Sequence, residues 1–160
     1  MKKNKLSDNS ICIRQLCTDY IASYLAQFSP EVQDALHVSS LQMEAMYLYE
    51  RIVQQQLGNT LFYCVFDTTQ DQLIGAVEIR DAQAHRGQLY CWMHHAHWGT
   101  GVFKHALALV TQEYFATTGA LFLTAYVDID NKRSYHALKK VGFAHVAKRG
   151  RQYEMVLRKQ

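Results

Sequence analysis

A chain of 160 residues with 49% hydrophobic content is long enough for one domain with a real core and too short for two, so a single domain over 1–160 is expected. No apolar run approaches the roughly 20 residues of a membrane span, and the polar start MKKNKLSDNS lacks the apolar stretch of a secretion signal. A soluble, cytoplasmic protein is expected, with 1–9 as a flexible N-terminus. The net charge of +3 hides an asymmetry: residues 1–100 carry 7 Lys/Arg against 10 Asp/Glu, whereas 101–160 carry 10 against 4. The C-terminal part is thus expected to attract anions.

In chain order, ICIRQL (11–16) alternates as a first strand, although neither of its faces is cleanly polar. Thr18 to Gln56 reads as helix, with a break at Ser29, where Pro30 opens the next segment, and a stop at Gly58 and Asn59. From Thr60 the period changes. TLFYCVF (60–66) and LIGAVEIRD (73–81) form an antiparallel hairpin, and QLYCWMH (88–94) follows the His85-Arg86-Gly87 turn. A helix from about Thr100 to Ala116 places Val102, Phe103, Ala106, Leu107, Val110 and Tyr114 on one face. LFLTAYV (121–127) is a buried strand, NKRSYHALKKV (131–141) a short helix closed by Gly142, and FAHVAK (143–148) with YEMVLR (153–158) a final hairpin. This order predicts an α/β (α+β) sandwich: a mixed, mostly antiparallel sheet of six to seven strands with helices on both faces. Cys12, Cys17, Cys64 and Cys91 form no CxxC pair and read as free, buried thiols.

The stretch HWGTGVFKHALALV (97–110) sets two glycines ahead of a helix whose first N–H groups have no intrahelical acceptor, the arrangement that binds anions. Two phosphate-binding patterns fail on it. A Walker loop needs a second glycine and a hydroxyl around its lysine, and Lys104 has neither in place. A dinucleotide fingerprint needs a third glycine where Lys104 stands, in a run of βαβ units that this element order lacks.

WMHHAHWGTGVFKHAL (92–107) resembles the acyl-CoA-binding motif of the GCN5-related N-acetyltransferases, and NKRSYHALKKVGF (131–143) resembles that family's later signature. The element order from Ile11 to Leu157 is similar to the family's throughout. Among its branches, the Trp92 strand, the Trp98-Gly99-Thr100-Gly101 loop and the set Asn131, Ser134, Gly142, Phe143 look most like the ribosomal-protein N-terminal alanine and serine acetyltransferases. The resemblance implies transfer of an acetyl group from acetyl-CoA to a primary amine on a peptide N-terminus or a small molecule, by direct attack in a ternary complex. It implies that the pyrophosphate sits on the amides of Trp98, Gly99, Thr100, Gly101, Val102 and Phe103 with Lys104 as a charge partner, and that Asn131 holds the pantetheine arm. Backbone N–H groups around Trp92 and Met93 would hold the thioester carbonyl. The acceptor is expected between the N-terminal helices and the closing hairpin, where Glu31, Asp34, Glu44 and Glu50 offer negative charge.

Two positions depart from the family pattern. Ala96 stands where Gln or Arg is common, and Leu138 where many members have the tyrosine assigned as acid for the departing thiolate. Ser134 and Tyr135 are then the expected acids. Glu78 is the expected base, with Asp128 and Tyr153 behind it. The alternatives are a catalytically silent acyl-CoA-binding module and, through Lys139, Lys140, Lys148, Arg149 and Arg151, a nucleic-acid surface, which is disfavoured for want of interleaved aromatics. A metal site at His94, His95 and His97 is not expected, because neighbours on a strand point to opposite faces. Monomer and homodimer stay open.

Overall fold

The structure is a computed structural model that describes residues 10–160, so the N-terminal segment expected to be flexible lies outside the described residues. The chain runs β1 (Ile11–Gln15), one turn of 3-10 helix (Thr18–Tyr20), α1 (Ile21–Gln27), α2 (Pro30–Leu36), α3 (Leu41–Gln56), β2 (Thr60–Asp67), β3 (Gln72–Arg80) and β4 (Arg86–Met93). A second 3-10 turn (His95–His97) leads into α4 (Val102–Thr117), β5 (Phe122–Asp128), α5 (Lys132–Val141), β6 (Ala144–Arg149) and β7 (Gln152–Arg158).

The helical stretch breaks twice. Ser29 precedes α2 as expected, but its hydroxyl faces His95 Nδ1 at 3.3 Å and caps nothing. The second break, at 37–40, has no Gly or Pro to announce it. His37 closes α2 in the left-handed region at φ 55, and Ser40 caps α3 by accepting the Met43 N–H at 3.2 Å.

One sheet has the order β1-β2-β3-β4-β5-β7-β6, with β4 and β5 parallel and every other pair antiparallel. The period-two pattern of each strand sends apolar side chains to both faces, and each face needs a helical cover. Tyr24, Phe28, Leu48, Phe62 and Trp92 form the core on the α1–α3 side. Val77, Leu107, Val110, Leu123 and Met155 form the core on the α4 and α5 side. Leu107 is fully buried, and its truncation to Ala would cost about 2–5 kcal/mol.

The parallel pair positions the site. Its ladder runs from Arg86↔Phe122 to Leu89↔Ala125 and stops there. That closed end is stapled: the Gly87 N–H donates to Tyr114 Oη at 2.8 Å, and the same hydroxyl donates to the Phe122 carbonyl at 3.1 Å. A Cβ at Gly87 would stand 2.8 Å from that oxygen, so only glycine fits. Arg86 adds bonds to Thr124 Oγ1 at 2.5 Å and Glu154 Oε1 at 2.6 Å. Beyond Leu89 the two strands part.

Candidate active site

The gap between β4 and β5 exposes backbone. N–H groups alternate sides along a strand, and His94 donates across to the Ile74 carbonyl of β3 at 2.8 Å. The Met93 N–H therefore faces the gap. Its own carbonyl is occupied, accepting Trp98 Nε1–H at 2.8 Å, which ties the loop after β4 back to the strand.

That loop then turns into α4. Gly99 and Gly101 sit at φ 73 and 94, in the region that favours glycine. Thr100 between them is buried and donates its hydroxyl to the His97 carbonyl at 2.6 Å. Gly101 is the N-cap of α4 and brings no side chain to it. The first intrahelical bond is His105 N–H to the Gly101 carbonyl at 3.2 Å, so the amides of Val102, Phe103 and Lys104 have no acceptor within the helix. A helix end capped by glycine leaves its donors and its positive dipole for an anion.

A cavity of about 370 Å³ joins the helix end to the gap. Of the residues expected to hold the cofactor, Trp92, Met93, Trp98, Gly99, Gly101, Phe103, Lys104, Asn131 and Ser134 line it. Thr100 and Val102 are buried and outside the lining, Val102 within the core on the α4 side. The lining carries Lys104, Arg133 and Lys140 and no carboxylate, which suits a polyanion. Asn131 caps α5, its Oδ1 accepting the Ser134 N–H at 3.1 Å. Gly142 ends α5 at φ 113, and Phe143 N–H to Leu138 and Gly142 N–H to Lys139, both 3.1 Å, complete the stop.

Several lining residues were not read from the sequence. Arg133 lies over the Trp98 ring at 3.4 Å, where burial lowers its pKa. Arg133, His136, Ala137 and Lys140 recur at helical spacing beside Ser134, a periodicity that points to one face of α5. Cys91, from the α4 side of β4, and Val32, Ala35 and Leu36 of α2 also line the cavity, and only the tertiary fold brings α2 there.

Of the residues expected to move a proton, Glu78, Tyr135, Asp128 and Tyr153 lie outside the cavity lining. Glu78 is 3% exposed, beneath α3 and away from the cavity lining. Its carboxylate accepts from Tyr47 Oη, Arg80 Nε at 3.2 Å and Thr60 Oγ1 at 3.1 Å, with Arg51 at 3.6 Å. A buried carboxylate must have its oxygens satisfied, and these partners leave nothing for an acceptor amine. Tyr135 packs its ring against Tyr153 and His145, at centroid distances of 5.2 and 6.0 Å, and is also away from the lining. Asp128 is engaged by His37 Nε2 and Gln152 Nε2, each at 3.3 Å. Leu138 is 3% exposed in the α4 and α5 core.

Glu44, one of the carboxylates expected to offer negative charge to the acceptor, is buried. Tyr24 Oη donates to it at 2.7 Å and accepts Trp92 Nε1–H at 2.8 Å, so the indole that lines the cavity is anchored through Tyr24 to α3. Burial raises the Glu44 pKa, against the opposing effect of the Tyr24 hydrogen bond.

The histidines do not keep strand geometry, because the chain leaves β4 before them. The His94 and His95 rings lie 4.3 Å apart, tilted by 34°, and His95 Nδ1 approaches Glu31 Oε2 at 3.5 Å. Desolvation, then the neighbouring His95 and His97, lowers the His94 pKa. Among the described residues no group of three or more His, Cys, Asp or Glu side chains is arranged to hold a metal ion. Arg149 is taken by Glu154 at 2.8 Å and Arg151 by Asp130 at 2.5 Å, which breaks up the basic run considered for nucleic acid. No helix of the described residues is long and apolar enough to cross a membrane.

A sheet opened between two parallel strands, with a glycine-capped helix end and a cationic cavity at the opening, is suited to an extended ligand that carries negative charge. Residues 10–144 match the model of the acetyltransferase (GNAT) domain family, and the chain belongs to that family. Its enzyme class is N-acetyltransferase. No curated protein sequence matches it. Among solved structures it is similar to a ribosomal-protein-S5-alanine acetyltransferase from Vibrio fischeri, with TM-score 0.77 at 13% identity over 93% of each chain. It is similar to a spermidine N-acetyltransferase from Vibrio cholerae solved with CoA and spermine, with TM-score 0.76 at 16% identity over 94% of this chain and 96% of that one. A third is Mycobacterium smegmatis RimJ in complex with CoA-disulfide, with TM-score 0.77 at 14% identity over 92% and 81%. At such identities the likeness is one of fold.

Proposed function

We propose that this protein, acting as a single cytoplasmic domain, transfers an acetyl group from acetyl-CoA to a primary amine, on a peptide N-terminus or a small molecule, by direct attack within a ternary complex. The observation that carries this reading is the continuity of one cationic cavity from the uncapped amides of α4 to the Met93 N–H in the strand gap. Acetyl-CoA, when bound, supplies the activated acyl group and the thiolate that leaves. The amides of Val102, Phe103 and Lys104, with the Lys104 and Arg133 side chains, bind the diphosphate. Asn131 uses Oδ1 for its cap and directs its amide N–H groups to the pantetheine arm. The Met93 N–H stabilises charge growing on the carbonyl, an interaction of about 3–4 kcal/mol in comparable sites.

Two features of the chain bear on the route. Cys91 lines the cavity, but burial pushes its thiol up to about 12, so it is almost wholly protonated near neutral pH and a poor nucleophile. This supports direct attack over an acyl-cysteine intermediate. Ser134, which lines the cavity, protonates the thiolate in this reading; Tyr135 packs on Tyr153 and His145, and Leu138 lies in the core. The ribosomal-protein alanine and serine branch is the closest reading by its motif residues.

The test is thiol release from acetyl-CoA against peptides beginning with Ala, Ser or Met, against polyamines and against aminoglycosides. Turnover with one acceptor class supports the proposal. Saturable CoA binding without turnover would favour the silent module instead, a reading motivated by Leu138. No turnover and no thermal stabilisation by CoA would overturn both.

A further inference from the structure

Among the described residues, seven of the eleven large hydrophobic side chains left exposed by the fold lie between Leu36 and Leu57. Five of them, Met43, Met46, Tyr49, Val53 and Leu57, are 51–63% exposed on α3 and its C-cap. Met43, Met46, Val53 and Leu57 follow the alternating three- and four-residue spacing of a helix-on-helix seam, with Glu50 completing the series and Tyr49 beside it. The opposite face of α3 is already committed to the fold through Leu48, Glu44 and Arg51. The helix is therefore apolar on both sides, whereas a helix with one free face carries charge there.

We propose that α3 forms the two-fold interface of a homodimer, packing antiparallel on α3 of a second copy of this chain. At roughly 100 Å² apiece the five side chains expose on the order of 500 Å², and two such faces together remove on the order of 1,000 Å² before flanking polar residues are counted, the lower bound for a specific interface. A second copy is the occupant that fits. It presents an apolar seam of the same length, and a two-fold axis lets one stripe serve both sides. Antiparallel packing also brings opposite ends of the helix dipoles together.

Charge points the same way. Glu50 is the one charged side chain in the seam, and its carboxylate is already held by Arg51 of the same helix at 2.5 Å. The face thus offers little to a nucleic acid or a highly charged protein. A polar group in the middle of an apolar seam fixes register more than strength. No residue of α3 lines the cavity, so the interface and the acetyl-transfer site are separable.

The test is sedimentation equilibrium of the whole protein between about 5 and 200 µM. The expected result is a dimer that Met46→Glu or Val53→Glu converts to monomer, with circular dichroism and stabilisation by CoA unchanged. Met46→Ala with Val53→Ala, which removes area without adding charge, should weaken the dimer about tenfold or more. A wild-type monomer across the range, or a dimer indifferent to these substitutions, overturns the proposal. Neither outcome touches the acetyltransferase reading.

Discussion

The indole N–H of Trp98 donates to the Met93 carbonyl at 2.8 Å, and this bond sets the distance between the strand gap and the glycine loop. Arg133 lies over the same indole, so one side chain joins β4, the loop and α5. Trp98→Phe keeps a ring for Arg133 but leaves the carbonyl without its donor. The expected loss is about 1–3 kcal/mol of stability, together with weaker CoA binding, checked by urea denaturation and by CoA titration.

Gly99 and Gly101 should respond to alanine through the backbone. At Gly99 no atom stands within 4 Å of an added Cβ, so the penalty is conformational, about 1–2 kcal/mol. At Gly101, with φ 94, the same change also disturbs the N-cap of α4. Gly101→Ala is expected to raise the KM for acetyl-CoA more than Gly99→Ala does. A Gly101→Ala enzyme with unaltered KM would remove the helix end from the binding site.

Ser134 and Tyr135 are neighbours in sequence with different surroundings. Ser134→Ala should lower kcat about 100-fold or more, the lower end of the range for general acids, with the KM for acetyl-CoA little changed. Tyr135→Phe should leave kcat unchanged, because its ring packs on Tyr153 and His145. Steady-state kinetics of the two variants distinguishes the roles.

Two buried carboxylates make stability depend on pH with opposite signs. The hydrogen bond from Arg149, aided by Arg86, lowers the pKa of Glu154. Its contribution is present above the ordinary carboxylate value of about 4.3 and is lost as pH falls through the lower folded-state value. Burial raises the pKa of Glu44, so the folded state binds the proton more tightly than the unfolded one, and stability falls as pH rises from about 4.3 through the raised value. Glu154→Gln should therefore lower stability at pH 7 and flatten the acid limb. Glu44→Gln keeps an acceptor for Tyr24 and should be no less stable than wild type at pH 7. Urea midpoints measured from about pH 2 to about pH 8 check both.

The sequence by itself determined the order of strands and helices, because periods of two and 3.6 residues are written into TLFYCVF, LIGAVEIRD and VFKHALALV. It also determined the glycine loop, since backbone conformation at Gly99 and Gly101 is a local property and the donors it frees belong to the main chain. Side-chain chemistry at the site was decided by tertiary structure. Glu78 and Tyr135 carry groups suited to proton transfer, yet the fold turns one under α3 and packs the other against Tyr153 and His145. Arg133, Cys91 and the apolar side of α2 reach the cavity only because β4 and β5 part beyond Leu89 and Ala125. The paired end beside that gap is held by contacts between residues far apart in the chain, the Tyr114 staple to Gly87 and Phe122 among them, and no local pattern records which distant partner a buried hydroxyl will find.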